Sequence, residues 1–257
     1  MPENQMLENE ILDNQIEIYE GFISIIVEEA YKSLRANIQF CEVDNKIKSI
    51  AITSCNPGEG KTTTSINIAI CMAESGLKVL LVDADMRKPS TYKRLRMKGS
   101  DGLSNYLSGY ASFDKIISET TIEGLYYLPC GVKPPNPAEL IGSEKFTEFL
   151  ARAEEEFDMV IIDTPPLGSV IDAAVIASKT KGTILVIKSN ATDFKLAKRV
   201  KVQLEKANAR ILGVVLNKVS KSNYKNYYNY YGYYNHLQKR KKKIKSKWTN
   251  KKRETEE

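Results

Sequence analysis

Residues 54–64 read S-C-N-P-G-E-G-K-T-T-T, and their types suit the task of holding a chain of phosphates. Gly58 and Gly60 have no Cβ, so their backbone can come close to an anion. Amides leading into a following helix point at that anion, and the helix N-terminus adds a favourable dipole. Lys61 is placed to reach the β- and γ-phosphates of ATP, and the Thr62 hydroxyl to sit on Mg²⁺. Pro57, Glu59 and Thr63 complete the expected nucleotide-binding loop. The strict pattern asks for glycine at position 55, where this chain has Cys55. The flanks supply the context that the motif needs. An apolar, β-rich run at 47–53 precedes it and a helix-like run at 65–74 follows, so strand, turn and helix occur in that order.

Two further stretches bring acids to the same chemistry. Residues 80–87 read L-L-V-D-A-D-M-R, and residues 160–166 read V-I-I-D-T-P-P. Each places aspartate just past an unbroken apolar strand, and in open α/β sheets ligands bind beyond the carboxyl ends of the strands. Asp83, Asp85 and Asp163 are therefore expected to converge on Lys61 and Thr62. Mg²⁺ favours hard oxygens and few protein ligands, and Thr62, Asp83 and Asp163 fit that description. Asp83 also suits a place beside the γ-phosphate, where it could orient an attacking hydroxyl. A carboxylate with pKa near 4 is a weak base toward a phenol of about 10, so its work would be positioning, with proton transfer late. One aspartate after a strand is commonly an N-cap or turn residue. Two strand-end acid motifs beside a phosphate loop argue for a site.

The elements that must position these residues follow from the apolar pattern. Strands are expected at 47–53, 78–83, 124–128, 158–163, 183–188 and 211–217, mostly continuous apolar runs of the kind buried on both faces of a parallel sheet. Helical patterns lie at 24–40, 61–75, 138–156, 171–179 and 193–207, with Pro134, Pro135 and Pro137 stiffening the approach to the third. The alternation predicts an α/β fold, a doubly wound, mostly parallel sheet with helices on both faces and right-handed crossovers. A chain of 257 residues with 42% hydrophobic side chains can bury one such domain with tails. We assign 1–23 to an acidic, flexible N-terminus, 24–220 to the nucleotide domain and 221–257 to a disordered tail. The four cysteines show no C-x-x-C spacing, which argues against a metal cluster or disulfide framework and fits a reducing cytoplasm. No secretory signal is expected at the acidic start, and the apolar run 22–27 is too short to cross a bilayer.

The net charge of +6 is a property of one segment. Residues 239–253 hold ten Lys or Arg and no acid, so the remaining 28 basic residues face 32 acidic ones. Just before this run, 224–234 read Y-K-N-Y-Y-N-Y-Y-G-Y-Y. Seven of the fourteen tyrosines fall there: Tyr224, Tyr227, Tyr228, Tyr230, Tyr231, Tyr233 and Tyr234. The stretch has no apolar periodicity and cannot build a core. Alone it reads equally as a linker, as a single-strand nucleic-acid binder through stacking and lysines, or as a substrate. Beside a phosphate site the substrate reading gains weight, because a loose tyrosine can bring its hydroxyl in line with a γ-phosphate. In the helix 24–40, Glu29, Lys32 and Arg35 recur every three residues and share one face. They form either local ion pairs on a solvated helix or a contact between subunits.

S-x-x-P-G-E-G-K-T, V-D-A-D-M-R and I-I-D-T-P-P together resemble the bacterial tyrosine kinases of capsule and exopolysaccharide synthesis, P-loop proteins related to the MinD and ParA ATPases. The resemblance spans roughly 29–234 and makes the three motifs Walker A, Walker A′ and Walker B. It implies an ATP- and Mg²⁺-dependent tyrosine kinase with Lys61, Asp83, Asp85 and Asp163 as catalytic residues. It further implies autophosphorylation of the tyrosine cluster in trans between subunits of a ring, and Asn217 near the adenine base. The ring would form through a Glu-x-x-Arg-x-x-Arg helix, here Glu29, Lys32 and Arg35, where lysine gives up bidentate pairing. Implied partners are a transmembrane polysaccharide co-polymerase whose cytoplasmic tail activates the kinase and a cognate tyrosine phosphatase. The implied location is the inner face of the cell membrane. The MinD and ParA relatives carry a signature lysine where this chain has Cys55, which favours the kinase branch over a switch ATPase. The basic run 239–253 lies beyond the family pattern, and contact with an anionic membrane is our expectation for it. A role in nucleic-acid binding is not expected.

Overall fold

A computed structural model describes residues 25–41, 46–89 and 101–220. The tyrosine cluster, the basic run and the acidic N-terminus expected at 1–23 lie outside the described residues. The chain divides into a unit Met1–Asn217 and a unit Lys218–Glu257. The first holds helix α1 (Ile25–Phe40), β1 (Ser49–Ser54), α2 (Lys61–Ala73), β2 (Val79–Asp83), α3 (Leu103–Leu107), α4 (Phe113–Ile116), β3 (Ser118–Glu119) and β4 (Leu125–Leu128). It continues with α5 (Pro137–Gly142), α6 (Glu144–Glu156), β5 (Met159–Asp163), α7 (Asp172–Lys179), β6 (Gly182–Lys188), α8 (Phe194–Lys206) and β7 (Ile211–Asn217).

The sheet runs β3-β4-β2-β5-β1-β6-β7, parallel throughout except for the β3–β4 pair. Successive side chains in a strand point to opposite faces, and each central strand feeds two cores. Leu80, Val82, Val160 and Ile162 pack on the face that carries Phe146, Phe149, Ala174 and Leu204. Val79, Leu81, Met159 and Ile161 pack on the other face, with Ile38 of α1 and Ile68 and Met72 of α2. This two-sided burial is why β2 and β5 are buried at every position and read as unbroken apolar runs. On the first face Tyr106, Phe113, Phe146 and Phe149 stack with ring centroids 5.7 to 6.2 Å apart, which locks α3, α4 and α6 together.

The expected helix over 138–156 is two helices. Ser143 lies between them in extended backbone (φ −62°, ψ 159°), and its hydroxyl accepts from the Phe146 amide as the N-cap of α6. The short elements α3, α4 and β3 have too few residues to show a period, and β3 is polar. They escaped the pattern for that reason. The six long strands lie within two residues of the expected bounds.

Candidate active site

The strand order places β5 between β1 and β2, so three chain segments end side by side at one edge. Asp83 and Asp163 are direct register partners there, and Asp163 also lies beside Ile52 of β1. The loop after β1 turns through Gly58 at φ +78° and Gly60 at φ +101° and delivers Lys61 and Thr62 as the first residues of α2. The dipole of α2 therefore points its positive end at the strand-end acids.

Lys61 is the meeting point. Its Nζ donates to Asp85 Oδ2 at 3.1 Å, lies 3.7 Å from Asp163 Oδ1 and 3.3 Å from Thr62 Oγ1. Burial works against its charge, but Asp163, Asp85 and Asp83 outweigh it, so the amine's pKa is raised and it is protonated at neutral pH. Burial pushes Asp163 above the usual carboxylate range, although Lys61 and hydrogen bonds from Thr62 and Ser65 pull the other way. Ser65 Oγ lies 3.2 Å from Asp163 Oδ1, one helical turn beyond Lys61. Asp83 Oδ1 accepts from the Asp85 amide at 3.1 Å, and Asp85 Oδ1 accepts from the Lys88 amide at 3.0 Å. The acids therefore shape their own loop. Arg87 closes it with a bidentate pair to Asp172 at the start of α7, Nε to Oδ2 at 2.7 Å and Nη2 to Oδ1 at 3.0 Å.

The phosphate loop is braced from three sides. The β5–α7 connection runs along the end of β1: Thr164 N donates to Ile52 O at 3.1 Å and Leu167 N to Ser54 O at 2.9 Å. Gly168 in this segment lies against the Cys55 carbonyl, and a Cβ there would overlap that oxygen. Glu59 turns its carboxylate back into the loop, where Oε2 accepts from the Cys55 and Asn56 amides at 2.8 and 3.0 Å. Oε1 accepts from Asn56 Nδ2 at 3.3 Å and from the Thr192 hydroxyl at 2.6 Å. Asn217, at the end of β7, donates through Nδ2 to the Glu59 carbonyl at 3.0 Å. Cys55 is fully buried, and burial followed by the Glu59 charge raises its thiol to about 11, so it is a neutral filler.

The sequence-derived residues thus separate into three sets. Lys61, Thr62, Asp83, Asp85 and Asp163 come together at the sheet edge. Pro57, Gly58 and Gly60 form the adjoining loop and Thr63 follows in the first turn of α2, with the side chains of Glu59 and Asn217 turned onto the loop itself. Glu29, Lys32 and Arg35 lie elsewhere, on α1. Lys32 Nζ bridges Glu28 and Glu29 at 2.5 and 3.1 Å, and Arg35 Nη1 donates to Cys71 O at 2.7 Å near the end of α2. Ser65, Arg87, Asp172 and Thr192 were missed. Ser65 left a trace in its i+4 spacing from Lys61 on one helix face, and Arg87 in closing the V-D-A-D-M-R stretch.

Among the described residues no group of three or more His, Cys, Asp and Glu forms a metal cage. Two strand-end carboxylates and a hydroxyl do suit Mg²⁺, which binds through one or two carboxylates together with substrate phosphates. No helix among the described residues is long and apolar enough to cross a membrane.

A family model described as an AAA domain matches residues 47–211. The tyrosine-protein kinase CpsD of Streptococcus agalactiae is 42% identical over 196 residues, which is 76% of this chain and 84% of that protein. The crystal structure of the chimerical protein CapA2B2 superposes with a TM-score of 0.74 at 34% identity, covering 84% of this chain and 99% of that one. The septum site-determining protein MinD of Pyrococcus horikoshii, solved with Mg-ADP, gives a TM-score of 0.58 at 28% identity over 68% of this chain and 72% of that one.

Proposed function

The chain belongs to the bacterial tyrosine kinases, nucleotide-binding P-loop enzymes related to the MinD ATPases, and on that premise we propose that it phosphorylates tyrosines of its own C-terminal cluster. The observation that supports this reading is the gathering of Lys61 with Asp83, Asp85 and Asp163 at the N-terminus of α2. Lys61 and the loop amides would bind the β- and γ-phosphates of ATP, and Asp85 would hold the lysine in place. Thr62, Asp83 and Asp163 would hold Mg²⁺, which when bound supplies neutralisation of the phosphate charge. Asp83 would orient the incoming phenol. The tyrosine oxygen bonds to the γ-phosphorus, the bond from that phosphorus to the β–γ bridging oxygen breaks, ADP leaves, and the phenolic proton passes late to Asp83.

The acceptor hydroxyls would come from Tyr224, Tyr227, Tyr228, Tyr230, Tyr231, Tyr233 and Tyr234 of a neighbouring subunit in a ring built through Glu29, Lys32 and Arg35. The cytoplasmic tail of a transmembrane polysaccharide co-polymerase would activate the enzyme, and a cognate phosphatase would reset it. Phosphates of about −1.5 to −2 charge each would repel one another and loosen the ring, which would set polysaccharide chain length. The basic run 239–253 would add contact with anionic lipid at the inner membrane face.

Incubation with ATP, Mg²⁺ and the partner's cytoplasmic segment, followed by mass spectrometry, tests the reading. Phosphotyrosine confined to 224–234 and lost in Lys61→Met is expected. A Lys61→Met copy with an intact tail, phosphorylated by an active copy without its tail, would establish transfer in trans. Phosphate release without phosphotyrosine would overturn the reading in favour of a switch ATPase.

A further inference from the structure

Glu59 is the unusual residue of the phosphate loop. A carboxylate there opposes the binding of a triphosphate, yet it lies between Gly58 and Gly60 in the chain and is 3% exposed. The structure explains its charge locally. Two backbone amides, one side-chain amide and one hydroxyl converge on its oxygens. Three of these donors belong to Cys55 and Asn56, within the loop. The fourth is the hydroxyl of Thr192, which arrives from the distant β6–α8 connection at the shortest distance of the set, 2.6 Å. Thr192 is itself held, because its Oγ1 accepts from the Lys188 amide at 2.9 Å. Its neighbours are tied down as well. Asp193 caps α8 by accepting from Leu196 N at 2.9 Å, and Ser189 N donates to Asn217 O at 2.8 Å.

We propose that Thr192 is a positioning residue for nucleotide binding, acting through the Glu59 carboxylate to hold the phosphate loop in its binding shape. The inference rests on the nucleotide-site reading above. The geometry that Thr192 supports is demanding: Gly58 and Gly60 both sit at positive φ, and the loop must keep that shape before phosphate arrives. Glu59 closes the loop onto its own first amides. Thr192 and Asn217 then tie that residue, one through the carboxylate and one through the carbonyl, to the strands on the far side of β1. Without the hydroxyl, a buried carboxylate loses its shortest donor and the loop samples other shapes. Apparent affinity falls with the fraction of loops that remain formed, and saturating nucleotide restores that fraction. The signature is a binding defect with little loss of maximal rate.

Isothermal titration of Mg·ADP into wild type, Thr192→Val and Thr192→Ser reads this directly, together with kcat and KM for ATP. Losing one hydrogen bond to a charged group predicts about a tenfold rise in Kd and KM for Thr192→Val, with kcat within about twofold of wild type. Thr192→Ser, which keeps the hydroxyl, binds as wild type. In a Glu59→Ala background, Thr192→Val adds no further loss, because the path runs through the carboxylate. Wild-type affinity in Thr192→Val overturns the proposal, as does a fall in kcat at unchanged KM, or an undiminished Thr192→Val effect in Glu59→Ala. A wild-type protein that binds no Mg·ADP overturns the nucleotide-site reading along with it.

Discussion

Gly60→Ala tests the construction of the phosphate loop with numbers that the geometry supplies. At φ +101° an L side chain is strained by about 1–3 kcal/mol. The added methyl would also overlap the Asn217 side-chain nitrogen and come within 3.2 Å of its Cγ. Asn217 can rotate away, but it then loses the 3.0 Å hydrogen bond to the Glu59 carbonyl, worth about 1 kcal/mol. The substitution should therefore cost about 3 kcal/mol, a large part of the 5–15 kcal/mol typical of a folded domain. Urea unfolding of wild type, Gly60→Ala, Asn217→Ala and the double variant separates the two terms. Asn217→Ala alone should cost about 1 kcal/mol. In its background Gly60→Ala should cost about 2 kcal/mol, because only the backbone strain remains. An equal cost of Gly60→Ala with and without Asn217 would refute the steric part of the reasoning, and a cost near zero would refute both parts.

Two other perturbations follow from the same edge of the sheet. Arg87→Ala leaves Asp172, whose side chain is 1% exposed, buried without its guanidinium. A fully buried pair broken in this way costs about 3–5 kcal/mol, and the 40% exposure of Arg87 reduces the expectation to about 2 kcal/mol in urea unfolding. Arg87→Lys should recover only part of that because it cannot pair bidentately, and adding Asp172→Ala to Arg87→Ala should reduce the loss. Asp163 titrates above its unfolded value. As pH falls from 7 through that raised pKa toward about 4, the folded state takes up a proton that the unfolded chain does not, so this group's contribution to stability rises. Asp163→Asn removes the dependence: the variant should be more stable than wild type near pH 8, by about 1 kcal/mol, and the gap should shrink on acidification. A gap that stays constant or widens between pH 8 and 4.5 in thermal melts would contradict the sign.

Much of this architecture was legible because apolar runs buried on both faces leave little ambiguity, as Val79–Asp83 and Met159–Asp163 show. The meeting of Lys61 with the strand-end acids was legible too, since each acid follows its strand directly and only the strand order remained to be found. What could not be read were contacts between side chains remote in the chain. Glu59 was expected as part of the nucleotide-binding loop, and nothing near it in sequence signals Thr192. Arg87 and Asp172 carry no local mark of their pairing. Asn217 was expected beside the adenine base, and nothing near it in sequence signals the hydrogen bond that its amide makes to the loop backbone. The break at Ser143 was written in the chain as a Gly-Ser step, but the apolar period of Phe146, Phe149 and Leu150 masked it.

The position of β5 has a consequence for how the protein is made. Because that strand lies between β1 and β2, no ladder hydrogen bonds join the strand that precedes the phosphate loop to the one that ends at Asp83. As the polypeptide leaves the ribosome, Lys61 and Asp83 emerge early, but the strands that precede them share no ladder until Asp163 has been synthesised and its strand has slipped into the gap. Pairings so distant along the chain form late and slowly. A nascent chain halted before residue 159 would hold the glycines, the lysine and two of the acids, yet present no assembled pocket to ATP.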